Sequence, residues 1–234
     1  VYAPEGVTIT GLSNVVYGTE SNLKCDQYVF SDSSDYAVPR AFKASAVRFD
    51  RPFAKDEKST LCLPFDMEVP TGATAFMLQH QEDDVILFYS VDGGIEANKP
   101  YVIIADNDVV FETTIETMVP ATPSRLPQVA TDNYSMSGTY TSISTEDAAR
   151  QGIYALGEDG YWAKGKAVSP YQAYLQATTA NGSAKPSVST GFCRKTPLVA
   201  KRKRRYQFCL LIFMTVSNAP FHDMTLFHQA VEQR

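Results

Sequence analysis

Short runs rich in Thr, Val, Ile, Tyr and Phe recur along the first 190 residues, and each run ends at turn residues. β-Branched and aromatic side chains favour extended backbone, whereas Gly, Pro, Asn and Asp favour turns. Ala75–His80 and Val85–Tyr89, for example, flank four polar residues that suit a hairpin loop. Because no helical apolar period separates the runs, the spacing predicts an all-β fold, an antiparallel β-sandwich.

The same argument predicts two more hairpins and one short helix. Tyr101–Ala105 and Val109–Thr114 flank an Asp-Asn-Asp turn, and Ile153–Leu156 and Tyr161–Lys164 flank a Gly-Glu-Asp-Gly turn. The helix is predicted over Ser144–Gln151, where a serine can cap the first turn and two acidic residues follow it near the positive end of the helix dipole.

The charge of the chain divides unevenly and predicts its organisation. Residues 191–234 contain eight Lys/Arg against two acidic residues, a sum of +6, so residues 1–190 carry −11 within the net charge of −5. The basic run Lys201–Arg205 is followed by the apolar stretch Phe208–Met214. We expect a β-rich lead-in or the end of a repeat array over 1–40, the sandwich over 41–180, and a linker with an irregular basic and apolar tail over 181–234. A shifted reading frame is a second explanation for the abrupt change.

Composition limits the partners. An acidic balance argues against a general nucleic-acid binder, because such proteins neutralise phosphates with clustered Lys and Arg. No apolar run approaches the roughly 20 residues of a membrane-spanning helix, so no transmembrane segment is predicted. The chain is long enough to bury a core, with 44% hydrophobic residues. The oligomeric state is left open.

Residue patterns that carry catalysis or bind metals are not found in this sequence. It has no His-Glu-x-x-His pair, no Gly-x-Ser-x-Gly, no phosphate-binding glycine loop and no Cys-x-x-Cys. We therefore predict no catalytic residue, no metal site and no cofactor. His80 is interpreted as a solvated strand-end residue, and Cys62 as a buried thiol, with a Cys25–Cys62 disulfide as the alternative. Three closely spaced pairs of Asp residues are interpreted as turn residues, and calcium binding is the alternative. The pairs are Asp32 with Asp35, Asp83 with Asp84, and Asp106 with Asp108.

Aromatic residues near the end of the β-rich body are the candidate ligand-binding residues. Tyr161, Trp162 and Tyr171 lie within eleven positions of one another. If they are exposed on one face, their rings can stack on sugar rings. The alternative is that they fill the core.

Seven segments, taken in order, resemble a module of large surface and secreted proteins of gut Bacteroidetes. This module often lies downstream of leucine-rich or other repeat arrays. The resemblance covers roughly residues 20–180, and it rests on Ala41–Arg51, Ser59–Asp66, Ile95–Ile103, Gly138–Tyr140, Ile153–Gly157, Tyr161–Lys164 and Tyr171–Leu175.

The resemblance implies export, a β-sandwich and a non-catalytic part in a larger surface protein. We therefore expect a secreted or cell-surface structural or adhesive module, with a host-surface protein or a glycan as partner. Because the chain opens on Val1, we expect the export signal to lie upstream. A carbohydrate-binding or accessory domain of a polysaccharide-processing system is the alternative.

Overall fold

The computed structural model describes residues 1–4, 6–7, 9–10, 12–82, 85–157, 160–178 and 187–194. The regular secondary structure of these residues consists of eighteen strands and one short helix, so the all-β prediction is confirmed. In chain order the elements are β1 (Tyr2–Ala3), β2 (Val16–Thr19), β3 (Asn22–Phe30), β4 (Phe42–Phe49), β5 (Lys58–Leu61), β6 (Met67–Glu68), β7 (Ala73–Glu82), β8 (Val85–Ser90), β9 (Gly94–Ile95), β10 (Tyr101–Ala105), β11 (Glu112–Thr113), β12 (Thr117–Val119), β13 (Gln128–Ala130), β14 (Tyr134–Gly138), α1 (Thr145–Gln151), β15 (Ile153–Leu156), β16 (Trp162–Lys164), β17 (Ala173–Ala177) and β18 (Ser187–Cys193).

Within the described residues these strands form two large sheets and a small ribbon. The first sheet has the order β1-β2-β3-β4-β11, and β12 also pairs with β4. The second has ten strands in the order β13-β14-β17-β15-β16-β18-β8-β7-β10-β5. The ribbon pairs β6 with β9. Apolar side chains from both large sheets belong to one buried cluster.

The pairing is mixed, and this corrects the expectation of an antiparallel fold. β1 pairs parallel with β2, β3 with β4, and β18 with β8. The other strand pairs in the described part of the chain are antiparallel, including the β7–β8 hairpin and the β15–β16 hairpin that the sequence predicts. Parallel pairs need long crossovers, which local turn signals do not reveal.

Two apolar clusters form the main core. The first lies between the two large sheets, because it joins Phe42 and Phe49 of the first sheet to Leu61 and Ile103 of the second. The second cluster lies on the other face of the ten-stranded sheet: Val102, the neighbour of Ile103 on β10, belongs to it. It gathers side chains from strands at both ends of that sheet, which therefore folds over its own core.

Strands pair across the predicted boundaries at residues 40 and 181. The range 1–40 contributes β3, which pairs along β4, and its Phe30 and Tyr36 are buried in the first cluster. The predicted linker contains β18, which pairs with β8 on one side and with β16 on the other. The basic run and the apolar stretch of the tail lie outside the described residues.

The helix follows its sequence signals. The Ser144 side chain accepts a hydrogen bond from the backbone N–H of Asp147, and the helix ends at Gly152 in the left-handed conformation with φ 67°. A left-handed C-cap favours glycine, which has no Cβ to clash there. Helix α1 packs Ala148 against Ile153 and so supports the late β15–β16 hairpin.

Candidate functional site

Two of the three candidate ligand-binding aromatics are core residues. Trp162 is 0% exposed on β16, where its ring stacks on Phe88 with 6.1 Å between ring centroids. Tyr171 is 3% exposed, and its ring packs against four other aromatic rings in the first cluster, those of Phe30, Tyr36, Phe49 and Tyr140. An exposed platform of these side chains is therefore not formed, because the Trp162 ring is buried in the second cluster and the Tyr171 ring in the first.

Tyr161 occupies a different position. It is partly exposed and directly precedes β16 in the late hairpin. Its backbone carbonyl accepts the N–H of Gly157 at 2.7 Å, which closes the hairpin loop. Tyr161 therefore lies in the hairpin loop whose Gly157 borders the cleft described below, whereas Trp162 and Tyr171 are buried in the core.

The described cysteines that the sequence singles out are buried thiols. Cys62 is 0% exposed, and burial raises its pKa to about 12. Burial likewise raises the pKa of Cys25 to about 11. Neither forms a disulfide, so the Cys25–Cys62 bridge is not made. Because thiolates are the nucleophilic form, such raised pKa values suit packing rather than reactivity.

The paired Asp residues serve turns and ion pairs. Asp35 Oδ1 accepts hydrogen bonds from Ser142 N at 2.9 Å and Ser142 Oγ at 3.2 Å. Asp108 Oδ1 accepts the Lys55 N–H at 2.8 Å. Asp106 pairs with Arg194 at 3.2 Å. Among the described residues no group of three or more His, Cys, Asp or Glu is placed to hold a metal ion, and positions 83 and 84 lie outside them.

A polar cleft of about 470 Å³ is the candidate site. One wall is the segment that leads into β5, and the other is the late hairpin with the loop after β16. Its floor is Ser59, which is buried. The lining residues are Arg51, Glu57, Lys58, Ser59, Leu156, Gly157, Lys166, Ala167, Ser169 and Gln172. We refer to these residues as the polar cleft.

Arg51 organises one wall of the polar cleft. Its Nη2 donates to Glu57 Oε1 at 2.5 Å and to Ser59 Oγ at 2.7 Å. Its guanidinium carbon lies 4.8 Å from the centre of the Phe53 ring, and Asp32 lies 3.7 Å from its Nε. A planar guanidinium held by two carboxylates and a ring is fixed in one orientation, which pre-organises the wall.

The opposite wall supplies polar groups that point to recognition by hydrogen bonds. Gln172 Oε1 accepts the Ser169 N–H at 3.1 Å, which holds the side chain in place. The amide nitrogen of Gln172 can then donate hydrogen bonds to a ligand. Lys166 is exposed, in the loop between β16 and β17. Sequence reasoning missed this site because its residues are spread from position 51 to position 172 and form no local motif.

Other findings bear on the remaining predictions. His80 is exposed at the end of β7, as the sequence predicts. No helix in the described part of the chain is long and apolar enough to cross a membrane. The chain matches no protein-family model, no curated protein and no solved structure.

Proposed function

We propose that this chain is a non-catalytic structural or adhesive module of a secreted or cell-surface bacterial protein, and that it contacts its ligand at the polar cleft. The observation that carries the proposal is that both carboxylate oxygens of Glu57 accept hydrogen bonds within the protein. Its Oε1 accepts from Arg51 and its Oε2 accepts the Ala54 N–H at 2.9 Å. A carboxylate used at both oxygens is a fixed hydrogen-bond acceptor, which suits recognition better than proton transfer.

The partner that fits best is a protein of the host surface or a glycan. The ordered segments that resemble the Bacteroidetes surface module support export and a place in a larger surface protein. The acidic balance of residues 1–190 disfavours nucleic acid as the partner. We propose membership of that family on the basis of these segments.

Binding to immobilised surface proteins and to a glycan array tests the proposal. Lys166→Glu reverses a charge in the cleft, and we expect it to weaken binding roughly ten-fold, about 1.4 kcal/mol. Lys164→Glu is the matched control, because Lys164 is exposed on β16 and does not line the cleft. Equal loss in both variants, or no binding by the unaltered protein, contradicts the role of the cleft. Turnover of a bound glycan would contradict the non-catalytic assignment.

A carbohydrate-binding module is the second candidate. The observation that favours it is the mixture in one cleft of a carboxylate, an amide, a hydroxyl and two ammonium groups, from Glu57, Gln172, Ser59, Lys58 and Lys166. Sugar hydroxyls both donate and accept hydrogen bonds, so a mixed lining can satisfy them. Array binding confined to glycans favours this reading, and binding confined to proteins favours the adhesive one.

A further inference from the structure

A second groove lies between the β6–β9 ribbon and the β11–β12 region. It encloses about 420 Å³ and is lined by Asp66, Met67, Glu68, Gly94, Ile95, Glu96, Glu112, Thr113, Ile115 and Thr117. We call it the acidic groove. Its base is apolar, because Met67 and Ile95 are buried there, and Ile115 exposes 67% of its surface. A large aliphatic side chain at that exposure offers a contact surface that the fold itself leaves uncovered.

Four carboxylates surround this apolar surface. Glu96 pairs with Lys99 at 2.7 Å, and Glu112 lies 3.7 Å from Arg48. Asp66 Oδ1 accepts only a backbone N–H, that of Ala97, at 2.7 Å. Glu68 is exposed and makes no side-chain hydrogen bond or ion pair with another described residue. The groove therefore keeps an excess of negative charge and matches an occupant that is both cationic and apolar.

Topology brings Arg194, the residue that follows β18, close to this groove. β18 runs parallel to β8, with Cys193 opposite Tyr89, so both strands leave the sheet at the same end. After β8 the chain continues through Gly93 directly into β9, which lines the groove. Arg194 follows β18 and lines the neighbouring cavity with Val69 and Gly93, each one residue from a lining residue of the groove.

We propose that the segment Lys201–Met214 of this chain docks in the acidic groove. Six residues separate Arg194 from Lys201, and seven peptide steps reach at most about 25 Å, which is ample for an adjacent groove. The five consecutive cations Lys201–Arg205 complement the four carboxylates. The apolar stretch Phe208–Met214 then covers Ile115. This inference is independent of the polar cleft.

Zero-length cross-linking of the full chain tests the docking. A carbodiimide activates a carboxylate, and a lysine amine then forms an amide bond with it as the urea by-product leaves. At low salt we expect monomeric protein to carry links from Lys201 or Lys203 to Asp66, Glu68, Glu96 or Glu112, identified by mass spectrometry. The links should disappear at about 1 M salt, because the Debye length there is roughly 3 Å and attraction between exposed charges is screened. Links found only between two copies, or none from these lysines to the groove, overturn the proposal.

Limited trypsin digestion provides a second measurement on the full chain. Docked Lys and Arg residues are protected, so Glu68→Lys should speed cleavage at 201–205 roughly five-fold by turning an attraction into a repulsion. Asp26→Lys is the matched control, because Asp26 is an exposed acid on β3 outside the groove. An unchanged rate in Glu68→Lys, or an equal change in the control, refutes docking at this groove. Protection that appears only as the protein concentration rises assigns the groove to a second copy and also overturns the proposal.

Discussion

Replacing Gly138 with alanine tests how tightly the end of β14 packs against Cys62. Gly138 lies at the end of β14, opposite Ala173 of β17. A Cβ at this position would lie 2.2 Å from Cys62 Sγ and 2.7 Å from Cys62 Cβ, whereas ordinary contact begins at 3.4 Å. Cys62 cannot withdraw into solvent, because it is fully buried and its N–H donates to the Tyr171 carbonyl at 2.7 Å. Gly138→Ala must therefore move the backbone of one strand.

The expected cost follows from these distances. The sulfur has to shift by more than 1 Å, which places the change among overpacked cores that lose about 1–3 kcal/mol. Alanine recovers about 0.4–1 kcal/mol by restricting the unfolded chain. We expect a net loss of about 1–2 kcal/mol in the free energy of unfolding. For a chain of this size that loss lowers the melting temperature by roughly 2–8 °C.

A double-mutant cycle isolates the contact. Cys62→Ala removes the sulfur and leaves a small cavity, at a cost of about 1 kcal/mol. In the double variant the 2.2 Å clash is gone and the 2.7 Å clash remains, so the two losses should be less than additive by about 1 kcal/mol. Urea denaturation and thermal denaturation, both followed by circular dichroism, are measured for all four proteins. Strict additivity, or an unchanged melting temperature for Gly138→Ala, would refute the reasoning.

Four further results are expected. Ser144→Ala should cost about 1 kcal/mol in urea denaturation through loss of the helix cap, whereas Ser144→Thr keeps most of it. Tyr171→Ala should cost about 3–5 kcal/mol and Tyr171→Phe less than about 1 in thermal denaturation, because packing of the ring dominates. Burial holds the pKa of Cys25 near 11 in the folded protein, against 9.0 when unfolded, so the urea midpoint should fall as pH rises from 9.0 to about 11; a constant midpoint contradicts this. The emission of Trp162, the one tryptophan, should resist iodide quenching until the protein unfolds.

The local elements of this fold follow from sequence, and their partners often do not. Val47 and Phe49, two positions apart on β4, are both buried, as the alternation of side chains along a strand requires. The predicted hairpin of Tyr101–Ala105 with Val109–Thr114 is wrong. The Asp106 N–H donates to Gly72 at 2.7 Å, and Val109 pairs with Phe53, so the chain crosses from the second sheet to the first. A polar turn sequence specifies a change of direction, but the tertiary hydrogen bonds specify which sheet receives the next strand.

The candidate site was less accessible to sequence reasoning. Tyr161 and Trp162 are adjacent, yet one is partly exposed and the other is fully buried, because neighbouring residues of a strand face opposite sides. Which side faces the core depends on pairing with β15 and β18. The polar cleft likewise depends on tertiary structure, since Arg51 and Lys166 both line it although they are far apart in the sequence. The sequence shows where the aromatic residues are, but it does not show whether their side chains face the core or the solvent.

The central position of β18 has a consequence for the synthesis of this protein. Its partners Val85–Tyr89 leave the ribosome about a hundred residues before it does, and until then the ten-stranded sheet consists of two separate parts. Each part carries an open strand edge at β8 or β16, and such edges pair readily with other chains. The nascent protein is therefore most exposed to misassembly during the interval between Ser90 and Cys193. Chaperone association should be greatest in that interval, and slow closure is expected for a contact of such long sequence separation.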